Sequence, residues 1–250
     1  MTGAAGRLVG RIALITGASR GIGAAVARAF ADAGAHVVLV ARTQGGLEDV
    51  DDSIRARGGS ATLLPTDLTD FDVIDRMGAA LYERFGRLDV VVGNAGILGP
   101  LTPVGHVEPD AWNAVMAINL TANFRLIRAT DPLLRLSPAG RAIFVTSGAA
   151  DGHHAYWGAY AASKGALEVL VRTWAAELAN TAVRANLINP GATRTRMRAE
   201  AFPGENPEIL QPPEAVAPAF IPLAEVGCAL NGAVVRARDL IDAGGQLSST

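Results

Sequence analysis

Apolar residues in this chain come in two rhythms. Short runs rich in apolar residues alternate with longer stretches in which apolar positions recur every three or four residues. The short runs are Ile12–Ile15, which has no alternation at all, His36–Val40, Ala61–Leu64, Leu88–Gly93, Ala142–Thr146, Val183–Ile188 and Gly232–Ala237. A run without alternation predicts a strand buried on both faces, as in a parallel sheet. The helical stretches are Ala24–Ala33, stopped by Gly34, then Leu47–Arg57, residues 70–85, Pro109–Arg135, a helix through Tyr160 to about Asn180, and Glu214–Glu225. This alternation predicts an α/β fold: a Rossmann-like, doubly wound parallel sheet of about seven strands flanked by helices, with its ligand site at the C-terminal ends of the strands. Residues 1–250 read as one nucleotide-binding domain. The polar, proline-rich segment 192–213 reads as a lid over the site.

Composition narrows the function. Half of the residues are hydrophobic, 18% are charged and the net charge is −2, which lacks the basic footprint of a nucleic-acid binder. A lone cysteine, Cys228, rules out an intrachain disulfide and a cysteine-based metal site. His153 and His154 have no partners at metal-ligand spacing, so no metal is expected. Met1 to Gly10 contains no apolar secretion core, and no run approaches the roughly 20 apolar residues that span a bilayer. The reading is a soluble, cytoplasmic protein with no membrane or nucleic-acid partner.

The candidate chemistry lies at strand ends. The first strand runs into Thr16-Gly-Ala-Ser-Arg-Gly-Ile-Gly23 and then a helix, an order that makes an anion site from close backbone and free N–H groups. The second strand ends in Ala41-Arg42, where an NAD site would place an acid; with Arg20 in the glycine loop, two guanidiniums can meet a 2′-phosphate, which favours NADP over NAD. Asp67 falls in the loop after the third strand, near the expected adenine, and Asn94 and Gly96 end the fourth. Asn119 sits among apolar helical neighbours and needs hydrogen-bond partners. Tyr160 and Lys164, four residues apart, share a helix face, where an ammonium favours the phenolate of a group with an ordinary pKa near 10.

Taken together, these residues resemble the short-chain dehydrogenase/reductase family over Ile12 to Gly245. Thr16–Gly23 matches its TGxxxGxG loop, Asn94-Ala-Gly96 its NAG element, Tyr160–Lys164 its YxxxK, and Pro190-Gly191 the turn leading to Thr195. Ser147 and Asn119 fall at the family's usual intervals before Tyr160. A bacterial subgroup of oxidoreductases without an assigned substrate shares the Gly-Ala-Tyr-Ala-Ala-Ser-Lys segment. The resemblance implies hydride transfer between a nicotinamide and a carbonyl or alcohol. Tyr160 would be the acid/base, Lys164 would tune it and hold the ribose, Ser147 would bind the reacting oxygen and Asn119 would hold a water relay. It also implies cofactor contacts from Gly17, Ser19, Arg20, Gly21, Ile22, Gly23, Arg42, Asp67, Leu68, Asn94, Ala95, Gly96, Pro190, Gly191, Thr193 and Thr195, and a homodimer or homotetramer through the long helices. The competing readings are a cofactor-bound sensor or scaffold on the same fold, and an enoyl reductase, whose Tyr and Lys are spaced more widely.

Two departures stand out. Gly93 replaces the Asn common in relatives, which predicts looser support of the central strands, and Asp239–Gly245 resembles the closing Asp-Gly-Gly but lies further past the last strand. The expected substrate lining is Ile97, Leu98, Ala149, Ala150, Tyr156, Trp157, Ala192, Met197 and Phe202. This apolar set points to a neutral, medium-sized carbonyl compound, with Arg194, Arg196 and Arg198 read as solvated.

Overall fold

The computed structural model describes residues 6–245. Seven strands form one sheet in the order β3-β2-β1-β4-β5-β6-β7, and every neighbouring pair is parallel. They are β1 Ile12–Thr16, β2 His36–Ala41, β3 Ser60–Pro65, β4 Val90–Gly93, β5 Arg141–Val145, β6 Arg184–Asn189 and β7 Val234–Arg236. Helices α1 (Gly21–Asp32), α2 (Gln44–Arg55), α3 (Phe71–Phe85), α4 (Pro109–Met116), α5 (Ala122–Arg135) and α6 (Gly158–Glu177) fill the crossovers. On one face α1 and α2 pack with the segment 216–240 around Phe30 and Phe220; on the other α3, α5 and α6 pack around Phe144 and Trp174. Strand order reverses between β1 and β4, which opens a crevice at their C-terminal ends, where a doubly wound sheet takes its ligand.

At the opposite end of the sheet, buried Asp89 accepts hydrogen bonds from Ile12 N (2.9 Å) and Ser137 Oγ (2.5 Å). Buried Arg141 donates to the carbonyls of Gly140, Ala182, Glu225 and Val226. These bonds fasten the strand starts and leave the crevice end free.

The structure departs from the sequence reading in three places. The expected helix Glu214–Glu225 is broken into α8 (Pro213–Val216), a 3₁₀ turn at Ala217–Phe220 and α9 (Ile221–Ala224), because Pro218 and Pro222 each lack the N–H that a continuous helix needs. The helix Pro109–Arg135 contains a π-turn at Ala117–Thr121. After β7 the chain forms α10 (Ala237–Asp242) over the region that resembles the closing Asp-Gly-Gly. Between α6 and α8, after β6, lie one short α-helix, α7 (Arg196–Ala201), and a 3₁₀ turn at Pro207–Ile209.

Candidate active site

Thr16, the last residue of β1, joins the two sides of the crevice. Its Oγ1 accepts from the backbone N–H of Asn94 (3.0 Å) and Ala95 (3.1 Å), while Asn94 Nδ2 donates to Thr16 O (2.9 Å). The glycine loop is packed so closely beneath this seam that a Cβ on Gly23 would lie 2.3 Å from Gly17 O, and one on Gly17 2.8 Å from Asn94 Nδ2. Gly17 also has φ +66°, a conformation most side chains avoid. No side chain caps α1, so its first N–H groups point freely into the crevice.

One cleft of about 1170 Å³ runs along the strand ends. Of the cofactor contacts expected from the sequence, Gly17, Ser19, Arg20, Gly21, Ile22, Arg42, Asp67, Leu68, Asn94, Ala95, Gly96, Pro190, Gly191, Thr193 and Thr195 all line it, together with Ser147, Tyr160 and Lys164. Gly23 and Asn119 stand behind its wall. Arg20 and Arg42 make no ion pair among the described residues. Hydrogen bonds from Thr69 N (2.9 Å) and Thr69 Oγ1 (2.7 Å), helped by the charge of Arg42, hold the Asp67 carboxyl below its ordinary range. Thr66, overlooked in the sequence, is a buried residue on the same wall whose Oγ1 has no partner among the described residues. Its position one residue before Asp67, at the end of a strand, was the available signal.

Tyr160, Lys164 and Asn119 are buried. Burial pushes the Tyr160 phenol pKa up, and the nearby Ser147 side chain only partly offsets it. The sequence reading expected Lys164 to favour the phenolate. In the structure burial is the larger influence on both groups: Lys164 Nζ donates to Val145 O (2.7 Å), lies 5.8 Å from the Tyr160 ring centroid, and is itself brought down to about 8 by desolvation. Asn119 sits in the π-turn: its Oδ1 accepts from Ile97 N (2.9 Å), and its Nδ2 donates to Ile97 O (2.9 Å) and Ser163 Oγ (3.0 Å). Ser163 Oγ donates in turn to Tyr160 O (2.7 Å), and Asn123 Nδ2 donates to Asn119 O (2.8 Å). Ser163 was not singled out in the sequence, although three residues after Tyr160 it shares that residue's helix face.

Gly93 does not leave the central strands loose. Phe144 and Asn123 occupy the space that a side chain there would take.

Beside Tyr160 the cleft is apolar, lined by Ile97, Leu98, Ala149, Trp157, Ala192, Met197 and Phe202, and also by Leu101 and Ala201. Two residues expected in this lining are absent from it. Ala150 lies off the wall, and Tyr156, at φ +72°, is largely exposed. His154, read as a plain loop residue, does reach the wall, with its ring 5.9 Å from that of Trp157. Each of the three arginines in the segment just after β6 is paired with a nearby glutamate: Arg194 with Glu208 (3.3 Å), Arg196 with Glu200 (2.8 Å) and Arg198 with Glu205 (2.6 Å).

No helix among the described residues is long and apolar enough to cross a membrane, and no group of three or more His, Cys, Asp or Glu side chains among them could hold a metal ion.

The family model for short chain dehydrogenase matches residues 11–206. The uncharacterized oxidoreductase YciK of Escherichia coli K12 is 38% identical over 214 residues, 84% of each chain. A solved short chain dehydrogenase structure from Pseudomonas syringae is 41% identical, covers 94% of this chain and 98% of its own, and superposes with a TM-score of 0.91. Another, from Escherichia coli CFT073 and complexed with NADPH, is 37% identical with a TM-score of 0.88, covering 93% of this chain and 98% of its own. With fold, cleft and relatives in agreement, the chain belongs to the short-chain dehydrogenase/reductase family of oxidoreductases.

Proposed function

We propose that this enzyme uses NADP to interconvert a carbonyl and a secondary alcohol, with Tyr160 as the proton carrier. The observation that carries the reading is the pair of buried residues Tyr160 and Lys164 with the half-buried Ser147, which share one cleft with the uncapped start of α1 and with Arg20 and Arg42, neither in an ion pair among the described residues. Three features fit a dinucleotide phosphate there. The free helix N-terminus attracts an anion, the two arginines lack carboxylates among the described residues, and the orphan Thr66 Oγ1 needs a polar partner. A dinucleotide bound in the cleft supplies or accepts the hydride.

The protein's own residues manage the oxygen and its proton. Burial keeps Tyr160 protonated at neutral pH, so it donates to the carbonyl oxygen in the direction of reduction. Ser147 hydrogen-bonds the same oxygen as charge builds on it. The ammonium of Lys164 then stabilises the phenolate left behind, and Ser163 with Asn119 fixes the helix turn on which Tyr160 stands. The segment 192–213 serves as a lid, since it carries Met197 and Phe202 over the apolar side of the cleft. Trp112, Phe124 and Val169, exposed on α4, α5 and α6, support pairing of two copies through these helices.

The test is NADPH oxidation against a panel of ketones, aldehydes and quinones, with Tyr160→Phe as the comparison. The variant should lose turnover and keep its affinity for NADPH in a binding titration. Near-normal turnover by the variant sinks the assignment.

A further inference from the structure

We propose that Trp157 and Phe202 are specificity-determining residues that select a flat, uncharged ring carrying the reacting carbonyl. The proposal rests on the hydride-transfer reading of Tyr160. The Trp157 ring meets the Tyr160 ring at 5.8 Å and 74°, and meets the Phe202 ring at 5.8 Å and 37°. An aromatic surface three rings long therefore starts at the proton donor and runs outward under the segment after β6. Neither ring is used up by the core, for Trp157 is only partly buried and Phe202 keeps 37% of its surface exposed. Leu98, Ala149 and Met197 extend the same cluster without adding a charge.

The backbone is bent to produce this surface. Tyr156 is the one non-glycine residue with positive φ among the described residues, and its O accepts from Thr102 N (3.1 Å). A left-handed conformation at a bulky residue is unfavourable and persists only where its surroundings impose it. Here it leaves Tyr156 exposed and the next residue, Trp157, on the cleft wall.

The charges of the lid point the same way. Arg198 holds Glu205 through two bonds of 2.6 Å, and its guanidinium carbon stands 3.8 Å from the Phe202 ring centroid. The pair thus presets the Phe202 ring, which makes Arg198 and Glu205 positioning residues. A substrate carboxylate could recruit Arg198 only by displacing Glu205, and it would otherwise lose its hydration against apolar walls. A flat neutral ring loses nothing comparable and gains stacking contact.

The test compares three ketones with NADPH: acetophenone, 2-octanone, which has the same number of carbons and no ring, and 4-acetylbenzoate, the ring with a carboxylate. Acetophenone should give the highest kcat/KM. Trp157→Ala and Phe202→Ala should each raise its KM by about 2- to 12-fold, the range expected for one aromatic contact, with kcat and the 2-octanone KM little changed. Trp157→Phe, which keeps a flat ring, should recover most of the loss. Arg198→Lys, which keeps the charge and loses the flat fork, should behave like Phe202→Ala; parent-like behaviour removes the role given to Arg198. Equal use of 2-octanone or 4-acetylbenzoate, or alanine variants with an unchanged KM for acetophenone, overturns the proposal. Calorimetric titration of 2-naphthol into the NADPH-loaded protein decides the matter without turnover. Binding that weakens in Trp157→Ala but holds in Tyr160→Phe supports the aromatic subsite even if no ketone is reduced, in which case only the hydride reading fails. Equal binding by Trp157→Ala rejects the subsite.

Discussion

Substituting Gly93 with any larger residue should destabilise the fold. A Cβ at this position would lie 2.4 Å from Phe144 Cδ1, 2.6 Å from Phe144 Cε1 and 2.6 Å from Asn123 Oδ1. Gly93 and Phe144 face each other across β4 and β5, so the backbone cannot separate them without breaking the ladder. Phe144 is fully buried and set edge-on against Trp174, with ring centroids 6.4 Å apart at 79°. Asn123 is tied to Asn119 O. With both neighbours pinned, Gly93→Ala overpacks the core and should cost about 1–3 kcal/mol. A domain of this size loses about 2–4 °C of Tm per kcal/mol, so the expected drop is about 2–12 °C by calorimetry. Gly93→Asn should lose at least as much. The double variant Gly93→Ala/Phe144→Leu should lose less than the sum of the two singles, because the smaller side chain vacates the contested space. A Gly93→Ala protein that melts at or above the parent, or strict additivity in the double variant, would refute this reasoning.

Other expectations follow from the cleft. Ala41→Asp combined with Arg42→Ala should move the Kd ratio from NADP toward NAD by about 10- to 150-fold, the worth of one or two hydrogen bonds to a charged group; tighter binding of NAD than NADP by the parent contradicts the premise. Lys164 has a folded pKa of about 8 against an ordinary 10.5, so the unfolded chain binds the extra proton between those values and the contribution of Lys164 to stability rises with pH across that window. Urea titrations of parent and Lys164→Met should therefore diverge between these two pH values, with the steeper rise in the parent, and parallel curves would contradict the burial argument. Light scattering at micromolar concentration should give a dimer or tetramer mass, and a monomer mass rejects pairing through α4, α5 and α6.

The strands were legible because a parallel sheet buries both faces, and runs such as Ile12–Ile15 and Leu88–Gly93 are apolar, rich in β-branched residues, too short for a helix and closed by glycine-bearing turns. The glycine loop was legible because it sits between such a run and a helix. The break at Pro218 and Pro222 was visible in the sequence too, but apolar periodicity overrode it. Other features depend on residues far apart in the chain. A π-turn adds one residue to a helical turn and hardly disturbs the apolar spacing around Asn119. Arg196 and Glu200 stand at helical spacing and could have been paired on sight, whereas Arg194 with Glu208 needs the segment between them to fold back. The phenol of Tyr160 is the sharpest case. Sequence spacing supplied the neighbouring ammonium, but the larger influence is the loss of water around both groups, which no local pattern records.

The chain that carries Met197 and Phe202 is joined to itself before it is joined to the body. Thr193 and Gln211 form a parallel bridge, Arg194 N donates to Gln211 O (2.9 Å), and the three arginine–glutamate pairs all fall within 194–208. Its two ends therefore meet at a single clasp, and whatever length of chain lies between them leaves β6 and α8 where they are. Such a segment behaves as a cartridge. Residues can be inserted, removed or exchanged wholesale beyond the clasp at the modest entropic cost of a longer loop, while the seam at Thr16 and the turn beneath Tyr160 keep their places. A new substrate preference could thus be reached by replacing one contiguous piece of chain, without redesign of the sheet that supports it.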